Sequence, residues 1–278
     1  MLKSLVLLLL LPTIAAAAPY LEWFNSSAQQ TAGQSLLIHG LNTKPEKLAD
    51  LIREVNLRGH DVLLLRLKGH NDDLLEMKKI TQQAWLEQLA EAFFLLRARN
   101  EARKGSLTLL AHSLGGVLAT TYLAAHPEYR MDQLLLFAPA LEVNFTSQFI
   151  RALYVLPDGY LVPSMAPESY QAQRGTSIAA YRALFQTISD FRALEPEKLN
   201  FKTTVLMDPK DELVSFSGLE TLMKKLNRWK LVAVSTAGST LPRPYHHLII
   251  SRESLGSEDW EQKVLTSLDE MLGKPKSL

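Results

Sequence analysis

Short, almost uninterrupted apolar runs alternate along the chain with longer stretches in which apolar positions recur every three or four residues. Six runs read as strands: 35–39 (SLLIH), 61–67 (DVLLLRL), 107–112 (LTLLAH), 133–137 (QLLLF), 203–207 (TTVLM) and 230–234 (KLVAV). Apolar side chains at consecutive positions leave no polar face, so these strands are expected to be covered on both sides. Helical periodicity fills 45–58, 81–100, 114–125, 216–226 and 257–272, with Thr43 or Lys44 at the cap of the first and Pro45 in its first turn. Strands alternating with helices of crossover length predict an α/β domain: a mostly parallel sheet with helices on both faces.

One interval breaks the rhythm. From Glu142 to Asn200 no strand run occurs, and a connection of that length is usually a functional insertion. It carries Phe149, Leu153, Tyr154, Tyr160, Leu161, Val162 and Met165, followed by a helical stretch over 178–194. The expectation is a helical cap over 142–200. Its apolar residues either roof a pocket at the strand ends or build only the insertion's own core.

The amino terminus reads as a secretory signal peptide over 1–17: Lys3, an apolar core from Leu5, then four alanines ending at Ala18. That core is short for a membrane span, which needs about 20 residues. The mature domain is therefore expected to begin at residue 18, run to 278 and be exported, to a periplasm or to the medium.

Composition narrows the chemistry. Thirty basic and 29 acidic side chains nearly cancel, so nucleic acid is not an expected partner. Cysteine is absent, which removes thiol nucleophiles, disulfides and thiolate metal sites. No H-E-x-x-H, EF-hand or phosphate-loop pattern occurs, so neither a metal nor a cofactor is expected. Asn25-Ser26-Ser27 and Asn144-Phe145-Thr146 match glycosylation sequons, which matter only in a eukaryotic secretory route.

The stretch TLLAHSLGGV (108–117) places Ser113 between a strand and a helix. That is the setting of a nucleophile elbow, a tight turn that exposes a serine hydroxyl above a sheet at the cost of a strained backbone. The turn requires small residues two positions before and after the serine; Ala111 and Gly115 fill them. A serine hydroxyl also needs a base, an acid to orient it and donors for an oxyanion. The neighbouring His112 should point to the opposite face and serve packing or a hydrogen bond within the sheet. Strand 203–207 is followed by DPKDELV and strand 230–234 by a loop ending RPYHHLII. This gives the chain order Ser, Asp, His, with Asp208 or Asp211 as acid and His246 or His247 as base.

His39-Gly40, Gly69-His70-Asn71, Ala111 to Gly115, Asp208 to Val214 and His247-Leu248-Ile249 together resemble the motifs of an α/β-hydrolase. The likeness is to the small-carboxylesterase and monoacylglycerol-lipase-like group, related also to the serine aminopeptidases, and it spans residues 35–275. It implies Ser113 as nucleophile and, because Val214 completes the G-x-x-D-x-x-V spacing, Asp211 as acid. The apolar run after it favours His247 as base, and the backbone N–H groups of Leu41 and Leu114 are implied as oxyanion donors. His39 and His70 are expected to be structural. The implied function is hydrolysis of carboxylic esters, of the acyl-ester, monoacylglycerol or lysolipid kind, through an acyl-enzyme. The implied partner is a small acyl ester, with transient contact with lipid, and nothing fixes the oligomeric state. Aminopeptidase-like or thioesterase activity and a non-catalytic binding protein are the alternatives. Against the first, the acids of the insertion (Glu142, Asp158, Glu168, Asp190, Glu195, Glu197) are scattered rather than clustered.

Overall fold

The computed structural model describes residues 18–28, 31–70, 74–144 and 149–275. The signal-peptide reading over 1–17, Asn71 and the last two positions of the second sequon lie outside them.

Nine strands are described: β1 (Leu21–Phe24), β2 (Gly33–Ile38), β3 (His60–Leu65), β4 (Ser106–His112), β5 (Gln133–Phe137), β6 (Leu161–Pro163), β7 (Gly175–Ser177), β8 (Thr203–Met207) and β9 (Trp229–Ala233). Seven form one sheet in the order β1-β3-β2-β4-β5-β8-β9. All its pairings are parallel except β1 with β3.

The reason for the continuous apolar runs is visible in how each strand divides its side chains. Successive residues of a strand face opposite ways. Leu36, Ile38, Leu109, Ala111, Leu134 and Leu136 enter one core, whereas Leu37, Leu110, Leu135 and Phe137 enter the other. The first core is closed by α2 (Gln82–Arg103), α3 (Leu114–Ala125) and α4 (Ile178–Arg192), the second by α1 (Ala49–Leu57) and the C-terminal helical run that ends in α6 (Thr266–Leu272). Trp85 anchors the first layer and Trp260 the second, both with no exposed surface. Truncating a side chain of this kind to alanine costs about 3–5 kcal/mol. Side chains fix the starts of α2, α4 and α5 (Phe216–Met223): Thr81 accepts from Ala84 N, Ser177 from Ala180 N, and Ser215 from Gly218 N.

The expected elements and the observed ones differ in four places. The helix expected over 45–58 begins with a 3-10 turn, Pro45–Leu48, and Lys44 makes no capping bond with its side chain. The helix expected over 257–272 is π-helical across Trp260–Leu265, because so short a span cannot reveal a wider period in the sequence. Strand β1 has no counterpart among the expected elements: it is four residues long with only Leu21 buried, too brief for an alternation. The hairpin β6/β7 is shorter still.

The interval from Glu142 onward divides in two. Helix α4 packs against α3, with Ala180, Leu184, Phe185 and Ile188 in the first core. The 3-10 stretch Phe149–Val155 and the β6/β7 hairpin lie outside the sheet layers, over the carboxyl ends of the strands.

Candidate active site

In a parallel sheet the strand ends carry the chemistry. The register aligns Ile38 with Ala111, His112 with Phe137, and Phe137 with Leu206, so the loops after β2, β4, β5 and β8 emerge together. Ser113 is the first residue past β4 and the last before α3, with φ 49° and ψ −114°. A non-glycine residue held there costs about 1–3 kcal/mol. Its neighbours hold it: Ser113 N donates to Phe137 O (3.0 Å), and Ser113 O accepts from Gly116 N (3.0 Å), Val117 N (3.2 Å) and Ala140 N (3.1 Å).

The small residues around the turn have a different cause from the one read in the sequence. A Cβ at position 115 would meet His39 O at 2.7 Å and Ile38 Cγ2 at 2.8 Å. Glycine is thus required by the end of β2 pressing on the start of α3, and Ala111, packed in the sheet, is easily held. Gly40 is similarly confined, since a Cβ there would lie 2.5 Å from His112 Nδ1 and 3.0 Å from Ser113 Cβ. Backbone therefore passes directly beside the serine just before Leu41. Among the described residues neither Leu41 N nor Leu114 N has an acceptor within the protein.

His247 Nε2 stands 2.8 Å from Ser113 Oγ, and His247 Nδ1 stands 2.8 Å from Asp211 Oδ2. With a proton on Nδ1 donated to Asp211, Nε2 is left as acceptor for the serine hydroxyl. The other carboxylate oxygen of Asp211 accepts from Leu213 N (2.7 Å) and Val214 N (2.8 Å). Asn144 Nδ2 donates to Asp211 O and Val214 O, so the nitrogen that a glycan would occupy already braces the acid loop.

The two acids do not compete for one imidazole. Asp208 pairs with His246, Nδ1 to Oδ2 at 3.1 Å, and Thr236 joins both through its Oγ1 and its N–H. Burial pushes the Asp208 carboxyl up, but the N–H groups of Lys210 and Thr236, with His246, outweigh it and hold the group below its ordinary range. Ser113 and His247 line the cavity above the sheet; Asp208 and His246 do not.

His39 and His70 clip two loops together. His39 Nε2 accepts from Leu67 N (3.0 Å), and His70 Nε2 accepts from Asn42 N (2.8 Å). Their rings lie 4.6 Å apart. Burial, reinforced by His70, holds His39 well below the usual imidazole range, and burial brings His70 down to about 4. Both stay neutral, as an accepting nitrogen requires, and both fix the loop that carries Leu41.

His112 ends β4, but its side chain bonds outside the sheet rather than within it. Its Nε2 donates to the backbone carbonyl of His247 at 3.1 Å. Burial and then the nearby His247 bring it down to about 3. No motif singles out Glu212, yet its Oε1 accepts from His246 N (3.0 Å) and its Oε2 from His247 N (3.1 Å). The only signal for it in the sequence is its place next to Asp211.

A cavity of about 440 Å³ opens above Ser113. Its walls include Val143, Ile150, Val162, Met165, Tyr181, Leu184 and Phe185 from the interval after β5, with Leu41, Leu213, Val214 and Tyr245 from the strand-end loops. The apolar residues of the interval thus line the cavity, and those of α4 also enter the first core of the domain rather than a core of the insertion's own. Among the described residues, the lining contains no lysine or arginine, and Glu212 is its one carboxylate.

Residues 29–177 match the serine aminopeptidase S33 family, a stretch that carries Leu41, Ser113 and Leu114 and ends before Asp211 and His247. A thermostable monoacylglycerol lipase of Bacillus sp. (strain H-257) is 32% identical over 91 residues, which is 33% of this chain and 34% of that lipase. The chain thus spans about a third of the length of this curated relative. Among solved structures, a soluble variant of monoglyceride lipase from Saccharomyces cerevisiae superimposes with a TM-score of 0.74 at 12% identity, covering 93% of this chain and 92% of that one. A metagenome-derived lipolytic enzyme, from work on LipS and LipT, gives 0.72 at 20% identity over 91% of this chain and 98% of its own. With a match over more than half its length and this sheet order, the chain belongs to the serine aminopeptidase S33 family and has the α/β-hydrolase fold.

Proposed function

We propose that the protein is an exported serine hydrolase that cleaves neutral carboxylic esters with an apolar acyl part. The observation that carries the reading is the continuous line from Asp211 through His247 to Ser113, with both contacts at 2.8 Å, at the floor of an apolar cavity. Ser113 Oγ attacks the ester carbonyl as its proton passes to His247 Nε2, and Asp211 stabilises the resulting imidazolium. The N–H groups of Leu41 and Leu114 receive the oxyanion. His247 returns the proton to the leaving alcohol, and a water then repeats the sequence on the acyl-enzyme.

The lining favours an ester over a peptide. Recognition of a substrate amine needs a carboxylate aimed at it, and Glu212, the one carboxylate among the described lining residues, is turned to the main-chain N–H groups of His246 and His247. The absence of lysine and arginine among the described lining residues gives an anionic headgroup no partner beside the scissile bond. A monoacylglycerol-like ester suits this wall better than a lysophospholipid. Met165 lines the cavity and is 75% exposed, an apolar lip consistent with transient contact with lipid. The cavity volume falls in the range of about 300–1,000 Å³ usual for small-molecule sites.

Hydrolysis of p-nitrophenyl esters of increasing acyl length by the mature protein, beside Ser113→Ala, tests the reading. Turnover by the native protein and none by the variant is expected; equal turnover by both would overturn it. Recovery of the expressed protein from the periplasm or medium tests export.

A further inference from the structure

The base stands at the end of a long connection. Between β9 and His247 the one regular element among the described residues is a single 3-10 turn, Thr236–Gly238. Beyond that turn the segment Pro242-Arg243-Pro244 is exposed. No ladder of strand hydrogen bonds holds the main chain at 246–247, yet the imidazole must meet Asp211 and Ser113 at once.

Resting on the roles proposed for Ser113, His247 and Asp211, we infer that Glu212 and His112 are positioning residues that grip the main chain of the base from opposite sides. Glu212 receives the N–H of His246 on one oxygen (3.0 Å) and that of His247 on the other (3.1 Å). His112 donates from Nε2 to the carbonyl of His247 (3.1 Å). The N–H and the C=O of the base are therefore both held, while its ring is left to the reaction.

The placement of the two grips follows from their neighbours in the chain. Glu212 is adjacent to Asp211, and His112 is adjacent to Ser113. Whatever moves the acid or the nucleophile moves a grip on the base with it, so the three groups keep their spacing as one body. His112 is suited to the task because its Nε2 bears the proton only in one neutral tautomer, and its surroundings allow no other use of the ring. Among the described residues Nδ1 is buried without a partner, facing Gly40, where a Cβ would come within 2.5 Å of it. Burial keeps the ring neutral through the range in which an ester hydrolase works.

Removing a grip should therefore lower turnover without weakening substrate binding, since a displacement of about 1 Å costs about 100-fold in rate. The test uses the full chain, p-nitrophenyl butyrate, and four variants: Glu212→Gln, which replaces one accepting oxygen by a donor; His112→Leu, which removes the donor; His112→Gln, which restores a donor near the position of Nε2; and Ser113→Ala. Glu212→Gln and His112→Leu are expected to lose about 10- to 100-fold in kcat with KM changed less than about twofold, and His112→Gln to recover most of the loss. Native kcat in both Glu212→Gln and His112→Leu would overturn the inference. So would a loss in His112→Leu that His112→Gln fails to recover although its thermal midpoint is native. Persistence of activity in Ser113→Ala overturns instead the reading on which the inference rests, and is recognised independently of the other variants.

Discussion

Two aspartate–histidine pairs lie side by side at the carboxyl end of the sheet, one residue apart on the histidine side and three on the acid side. His247 and Asp211 meet at 2.8 Å, His246 and Asp208 at 3.1 Å. The difference lies in the third group. His247 presents Nε2 to a serine held at positive φ in a cavity wall, whereas the Asp208–His246 pair shares its hydrogen bonds with Thr236 and ties the loop after β8 to the connection after β9. An acid beside an imidazole thus closes a structural clasp or, in the roles proposed for Asp211 and His247, orients a base, according to what the imidazole faces next. The same residue types and nearly the same distances serve both.

Breaking the pairs one at a time should separate the roles. Asp211→Asn leaves the imidazole without the acceptor that fixes its tautomer, and kcat on a short acyl ester is expected to fall about 10⁴-fold with little change in thermal midpoint. Asp208→Asn should do the reverse. It leaves the donors of Lys210 and Thr236 poorly matched, a cost of about 1–3 kcal/mol, read as a lowered thermal midpoint with kcat reduced less than about tenfold.

The pH dependence of stability sharpens the contrast. His39, His70 and His112 have folded pKa values below the ordinary imidazole value of 6.5, so the unfolded chain takes up protons first as pH falls. Their contribution is whole above pH 6.5 and is lost as pH falls below it, down to about 4 for His70 and about 3 for His112. Asp208, a carboxyl with a lowered pKa, contributes above the ordinary value of 3.8 and loses that only as pH falls through its lower folded value. Thermal midpoints should therefore decline from pH 6.5 downward with the same slope in the native protein and in Asp208→Asn until the carboxylate range is reached. A slope in the variant that differs near pH 5.5 would contradict this division.

The smallest effect expected is at Ala111. Because Gly115 answers to Ile38 and His39 rather than to residue 111, Ala111→Gly should leave kcat unchanged and cost about 0.5–1 kcal/mol for glycine within a strand, measured by denaturant unfolding.

The sheet is legible in the sequence because a strand buried on both faces writes a continuous apolar run, and for β5 and β8 the run and the strand coincide to the residue. Strand β1 and the β6/β7 hairpin are not legible, since three or four residues at an edge carry no such run. At the site, Ser113, Asp211 and His247 are marked by motif and by chain order, and the fold brings these three together. Glu212 and the grip of His112 are hidden because their partners are main-chain N–H and C=O groups, which every residue offers alike. Thr236 is hidden because its partners become neighbours only once β8 and β9 pair.

The central claim is that one pair activates Ser113 and the other does not. Covalent labelling by an alkyl fluorophosphonate, with the adduct located by peptide mass spectrometry, measures that activation directly. The account predicts an adduct on Ser113, a labelling rate about 10³-fold or more lower in Asp211→Asn, and a rate within about tenfold of native in Asp208→Asn. An adduct elsewhere, or the opposite order of the two variants, would contradict it.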